Sequence, residues 1–148
     1  MSFSNWRKWT ERNSLTGLEY PGVYAIVKSD EDISGKPFSW IEKTILIGMS
    51  NSRGGLRSRL NQFDSTIKGG EGHGPAKRVR RRYPDYGNLV PKLYVSVHSY
   101  PCDVTTNRPD DLRIMGEVAK HEYKCFALFV EKFERLPEFN DKERSPKD

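Results

Sequence analysis

Two charged side chains in this sequence stand where apolar ones would be expected. In the stretch LRSRLNQF, Leu56, Leu60 and Phe63, with Ile67 beyond, recur at a spacing that puts them on one face of a helix. Arg59 borders that face, whereas Arg57 points away. A guanidinium at the edge of a core is costly unless it meets an anion, so Arg59 is the better candidate for binding one. The bland alternative is an arginine whose stem covers apolar surface while its head reaches water. From Pro109 to Phe133 a second helical pattern places Met115, Val118, Ala119, Glu122, Phe126, Phe129 and Phe133 inward, so one carboxylate interrupts an apolar seam. Charged and unpaired there, Glu122 needs a metal ion, an arginine such as Arg59, or a proton. A metal ion is the favoured partner.

Basic residues are unevenly placed. Arg53, Arg57 and Arg59 form one cluster, and Lys77, Arg78, Arg80, Arg81 and Arg82 another, in a chain of formal net charge +5. Such clusters suit phosphate-bearing partners, although a basic run can equally be a solvated helix face. Between them lies GGEGHG. No strand leads into it and no GKS or GKT follows, so it is not a nucleotide-binding P-loop but a connection, with His73 as a solvent-exposed residue or a reserve proton-transfer group. Cys102 and Cys125 have no metal-ligand spacing and are expected to be free thiols.

The elements that must position these groups follow from periodicity. Ser4 is a plausible cap for a short helix to about Arg12, with Trp6 and Trp9 packed as core rather than offered for base stacking. Pro21 to Lys28 alternates as a strand, Val23, Ala25 and Val27 facing one way and Tyr24 and Ile26 the other. Residues 29 to 42 read as the loop of a long hairpin, returning as a strand over Lys43 to Gly48. The loop MSNSRGG then leads into the helix that carries Arg59. Pro75 opens a helix to about Tyr83 with Ala76, Val79 and Tyr83 inward, and KLYVSVHSY makes a third strand from Lys92 to Tyr100.

With 148 residues, 35% hydrophobic and 30% charged, the chain suits a single domain over 1–140 followed by a charged tail, 141–148. No stretch is long and apolar enough for a membrane span, and the opening MSFSNWRKW lacks the features of a secretory signal, so a cytoplasmic protein is expected. Oligomeric state is not legible.

These residues resemble the GIY-YIG nuclease family from Gly22 to Asn140. Gly22, Val23 and Tyr24 look like its GIY; Leu46, Ile47 and Gly48 look like its YIG; Leu56 with Arg59 matches the leucine and arginine that follow. Glu122, with Cys125 and Phe126 behind it, is similar to the family's helical glutamate, and LPEFN ends on a matching asparagine, Asn140. The chain departs from the pattern at Leu46, where the family has tyrosine, and at Met49 and Phe63. The resemblance implies an α+β domain, a small three-stranded antiparallel sheet flanked by helices, that hydrolyses phosphodiester bonds as an endonuclease. In that scheme Glu122 holds one Mg²⁺ or Mn²⁺, Arg59 binds the scissile phosphate, Tyr24 takes a proton from the attacking water and Asn140 orders the site. The implied partner is nucleic acid, DNA rather than RNA, with backbone contacts from Arg57, Lys77, Arg78, Arg80, Arg81 and Arg82. The alternatives are a nucleic-acid-binding module that keeps the fold without cutting, and a protein-binding adaptor using a Trp6 and Trp9 face.

Overall fold

The computed structural model describes residues 2–141, so all but the first residue of the expected tail lies outside the described residues. Its framework is an antiparallel sheet of four strands, β1 (Arg7–Lys8), β2 (Gly22–Lys28), β3 (Thr44–Ser50) and β4 (Leu93–Ser99), in the order β1-β4-β2-β3. Four α-helices accompany it: α1 (Gly55–Ile67), α2 (Gly74–Arg82), the single-turn α3 (Tyr86–Leu89) and α4 (Pro109–Phe133). The class is α+β, but the strands number four rather than three.

The hairpin read from the sequence is present: β2 and β3 pair from Gly22 opposite Ser50 to Val27 opposite Thr44, with an irregularity between Ile26 and Val27. β2 also pairs along its whole length with β4, so it is the central strand and its residues 22–27 are all buried. Alternation then decides which layer each side chain joins. Tyr24 and Ile26 pack with Leu56, Leu60 and Phe63 of α1 and Val79 of α2 on one face. Val23 and Ile47 pack with Val118, Cys125 and Phe129 of α4 on the other.

The expected N-terminal helix is replaced by an extended segment, β1, and a 3₁₀ turn at Trp9–Ser14. Ser4 caps nothing helical; its N–H donates to the Val97 carbonyl at 2.9 Å and its Oγ accepts from Val97 N–H at 3.1 Å. Trp6 and Trp9 are both buried, as expected of core residues. They lie on opposite faces of the sheet, because the chain rounds its edge between them. Helical spacing would put the two on a shared side, and a two-residue strand carries too little alternation to reveal the crossing.

The start of α1 is fixed by a backbone fit. Gly55 has φ +65°, and a Cβ there would lie 2.6 Å from the Glu19 carbonyl oxygen. Only glycine adopts this conformation without strain in so close an approach. The next two amides, Leu56 and Arg57, donate to the carbonyls of Tyr20 and Leu18 at 3.0 and 2.9 Å. These bonds satisfy two of the otherwise orphaned helix N–H groups and set the helix, and Arg59 with it, against the end of β2.

Candidate functional site

Tyr24, Arg59 and Glu122 come from three separate elements, β2, α1 and α4, yet their charges act on one another. The Tyr24 hydroxyl is pushed well above the usual phenol range, chiefly by burial; Arg59 opposes that shift and Glu122 adds to it. Glu122 is itself pushed up by burial and pulled back by Arg59. Arg59 and Glu122 are both half-buried. No hydrogen bond or ion pair within 4 Å joins the side chain of either to another described residue. Direct pairing, which would make both merely structural, is therefore not how their charges are met. An acceptor-only carboxylate and a donor-only guanidinium stand near each other with their bonding capacity unspent.

The floor of the site explains a glycine. Gly48 lies opposite Tyr24 in the β2–β3 register, and the phenol ring crosses directly over it. A Cβ at Gly48 would lie 2.3 Å from Tyr24 Oη and 2.4 Å from Cζ. Leu46, one step along the same face of β3, is buried in the α1 layer and gives the site no hydroxyl.

His73, read from the sequence as a solvent-exposed residue or a reserve proton carrier, is 4% exposed. It caps α2: its Nδ1 accepts from Ala76 N–H at 3.1 Å. Burial, helped by the charges of Arg59 and Arg78, lowers its pKa from 6.5 to about 4, so the ring is neutral at ordinary pH. With Nδ1 accepting, the single proton sits on Nε2, which lies 3.4 Å from Tyr24 Oη and donates to it. Loop composition could not reveal this role. The usable signal was the position of His73 just before Gly74-Pro75, where a helix opens and needs a cap.

Asn140 works at one remove. Its Oδ1 accepts from Ile47 N–H at 2.8 Å and its Nδ2 donates to the Ile47 carbonyl at 2.9 Å. β3 is an edge strand, so these are backbone groups that no further strand satisfies. The side chain thereby fixes β3 one residue before Gly48. On the far side of the site, Asn51 Nδ2 donates to the Met115 carbonyl at 3.0 Å and ties the loop after β3 to α4.

The basic cluster on α2 is not an open comb. Arg78 is buried and donates through Nη2 to the Phe139 carbonyl at 2.5 Å. Arg80 Nη1 donates to the carbonyls of Thr66 and Gly70, at 3.0 and 2.9 Å, at the end of α1. These two arginines hold α2 to its neighbours, so neither presents a free guanidinium to phosphate. Lys77 and Arg82 remain at the surface in ion pairs with Glu71 and Glu138, Arg81 is exposed with interactions of its own, and Arg57 is exposed on α1.

For a metal ion the site supplies one half-buried carboxylate. No group of three or more His, Cys, Asp or Glu side chains suited to a metal occurs among the described residues. That excludes an all-protein cage built from those residues. A single open carboxylate does fit a small hard cation that keeps most of its waters and takes further oxygens from a phosphate substrate. Cys102 and Cys125 are free thiols, and none of the described helices is long and apolar enough to cross a membrane. No protein-family model, curated protein or solved structure matches this chain.

Proposed function

We propose that this protein is a divalent-cation-dependent endonuclease of the GIY-YIG kind, hydrolysing phosphodiester bonds in nucleic acid, DNA in preference to RNA. The observation that carries this reading is a phenol buried over Gly48 together with an arginine and a carboxylate from two other elements whose charges act on it and whose side chains are in no hydrogen bond or ion pair with another described residue.

In this reading Arg59 binds a non-bridging oxygen of the scissile phosphate and stabilises the charge that grows on it. Glu122 would hold Mg²⁺ or Mn²⁺, which when bound polarises the phosphate and acidifies water. Tyr24 would orient the attacking water and, once its own proton has been lost to solvent, accept the proton of that water. Burial keeps its hydroxyl neutral in the free protein, and Glu122 contributes to that. Neutralising Glu122 removes its influence and leaves Arg59 to lower the phenol pKa. His73 and Asn140 are positioning residues: the Nε2–H of His73 fixes the Tyr24 oxygen, and Asn140 fixes the strand beneath the ring. Arg57, Lys77, Arg81 and Arg82 are the basic residues at the surface for backbone contacts.

The second reading, binding without cutting, draws on one specific feature: the buried phenol is pushed up rather than down, and Leu46 supplies no second hydroxyl. The adaptor reading loses its surface, since Trp6 and Trp9 are 2% and 0% exposed. Incubation of the protein with supercoiled plasmid and Mg²⁺ or Mn²⁺ separates the remaining two. Nicking that disappears in Arg59→Ala and in Glu122→Ala supports the hydrolytic reading. Salt-sensitive binding without nicking supports the other.

A further inference from the structure

A cleft at the other end of the β2–β3 pair takes no part in the chemistry above. It encloses about 540 Å³, and four of the side chains that line it are cations: Lys28, Lys43, Arg82 and Arg135. They reach it from separate elements. Lys28 ends β2, Lys43 precedes β3, Arg82 ends α2 and Arg135 follows α4. Along β3 the cleft lies at Thr44 and Ile45, Asn140 bonds to Ile47, and the Tyr24 ring rests over Gly48, so the cleft and the hydrolytic centre are distinct. On β2, Lys28 follows Tyr24 by about 13 Å along the strand.

Gathering like charges from distant segments works against electrostatic repulsion, and a cleft so lined concentrates anions. Two carboxylates, Glu42 and Glu138, share the lining. They offset part of the charge without capping it. Glu138 Oε1 lies 3.5 Å from Arg82 Nη1, and Glu42 Oε1 lies 4.0 Å from Arg135 Nη2, both longer than the usual hydrogen bond. Neither Lys28 nor Lys43 is in an ion pair with another described residue, so two positive charges are left over.

Two of the cations are also held in place. Lys28 Nζ sits 4.7 Å from the centre of the Tyr83 ring. Arg135, its side chain 25% exposed, donates from Nη1 to the Leu136 carbonyl and from Nη2 to the Glu42 carbonyl, each at 3.1 Å. Those two bonds fix the guanidinium plane, and a fixed guanidinium beside lysines suits phosphate oxygens. The charge left over selects the kind of phosphate. A backbone diester brings a single negative charge, whereas a monoester brings about −1.5 to −2 at pH 7.

We propose that this cleft binds a phosphate group in its dianionic form, carried as inorganic phosphate or as the terminal phosphate of a nucleic-acid strand. The site stands on its own charges and not on the hydrolytic reading.

The full chain, labelled with ¹⁵N, is titrated with sodium phosphate at pH 7 and constant ionic strength, with sodium chloride as the control. Phosphate should move the Nε–H signals of Arg82 and Arg135 saturably, and chloride should not. Lys28→Met keeps the stem over Tyr83 and removes the charge; Lys43→Glu reverses a charge at an exposed position, where the fold tolerates change. Each should weaken phosphate binding by about tenfold or more. Signals that phosphate moves no more than chloride does, or undiminished binding by a folded Lys43→Glu protein, would overturn the proposal. A trinucleotide with a 5′ phosphate and the same trinucleotide with a 5′ hydroxyl then identify the carrier. Tighter binding of the phosphorylated strand than of inorganic phosphate upholds the site with a strand end as its ligand, and failure of that strand to displace inorganic phosphate upholds it with the free ion. Equal binding of the two trinucleotides overturns the choice of a dianion. Plasmid nicking, assayed separately, keeps the two readings apart: nicking without phosphate binding overturns the phosphate site alone, and phosphate binding without nicking upholds it and overturns the hydrolytic reading.

Discussion

Replacing Gly48 with alanine asks how much of the site depends on a missing methyl group. The new Cβ would sit 2.3 Å from Tyr24 Oη, 2.4 Å from Cζ and 2.8 Å from Cε1. Three overlaps along one ring edge cannot be relieved by a small rotation, so the phenol must lift off the strand. Above it lie Leu56, Leu60 and Phe63, each 1% exposed or less, and these leave no slack. Overpacking of this kind costs about 1–3 kcal/mol, and displacing the reactive oxygen by about 1 Å costs on the order of 100-fold in rate. Urea unfolding reads the first quantity and plasmid nicking the second. A double-mutant cycle with Tyr24→Ala isolates the cause, since removing the ring should abolish most of the penalty that Gly48→Ala carries. If the two substitutions destabilise additively, the ring does not rest on Gly48 and the geometry given for the site is wrong.

Other outcomes follow from the same structure. Asn140→Ala strips both hydrogen bonds from Ile47 on the edge strand and should lower stability by about 2 kcal/mol, with Asn140→Asp, which keeps only the acceptor, in between; urea midpoints check this. His73 should make stability pH-dependent. The unfolded chain takes up this proton near pH 6.5 and the folded chain only near pH 4, so the unfolded state binds more protons in that window. Stability should therefore fall by up to about 3 kcal/mol as pH drops from about 6.5 to about 4, and His73→Asn should flatten that part of the curve without removing a possible α2 cap. Arg57→Ala and Arg82→Ala should each reduce the slope of log binding constant against log salt by about 0.9 on duplex DNA and leave the unfolding midpoint nearly unchanged. Arg78→Ala should lower the midpoint instead, because its guanidinium is committed to the Phe139 carbonyl.

Much of this arrangement was legible where a period ran long enough to be unambiguous. The bounds of α4 coincide with the stretch read from the sequence, and the alternation in β2 put Tyr24 on one face with Ile26, the face that α1 covers in the structure. Burial arguments alone singled out Arg59 and Glu122, which are both half-buried in the structure, with the Arg59 charge acting on the Glu122 carboxyl. What escaped depends on contacts between distant segments. β1 is two residues long and owes its existence to β4. Arg78 and Arg80 were counted with a surface cluster, because a run of arginines does not show which side of its helix meets a carbonyl from another element. Helical periodicity puts His121 on the polar side of α4, yet α4 packs against both the sheet and the N-terminal segment, so its buried arc is wider than one seam. Four of its large apolar residues, Leu112, Tyr123, Leu128 and Val130, still face outward.

The central claim is that the Glu122 carboxylate is required for a chemical step and not for the fold. Single-turnover cleavage of a duplex oligonucleotide in Mn²⁺ by Glu122→Gln tests it most directly, because the amide keeps the shape and removes the charge. The account predicts an unfolding midpoint at or above that of the unaltered protein, since a half-buried charge is removed, together with cleavage slowed by about 100-fold or more. Cleavage at the original rate by a folded Glu122→Gln protein would contradict it.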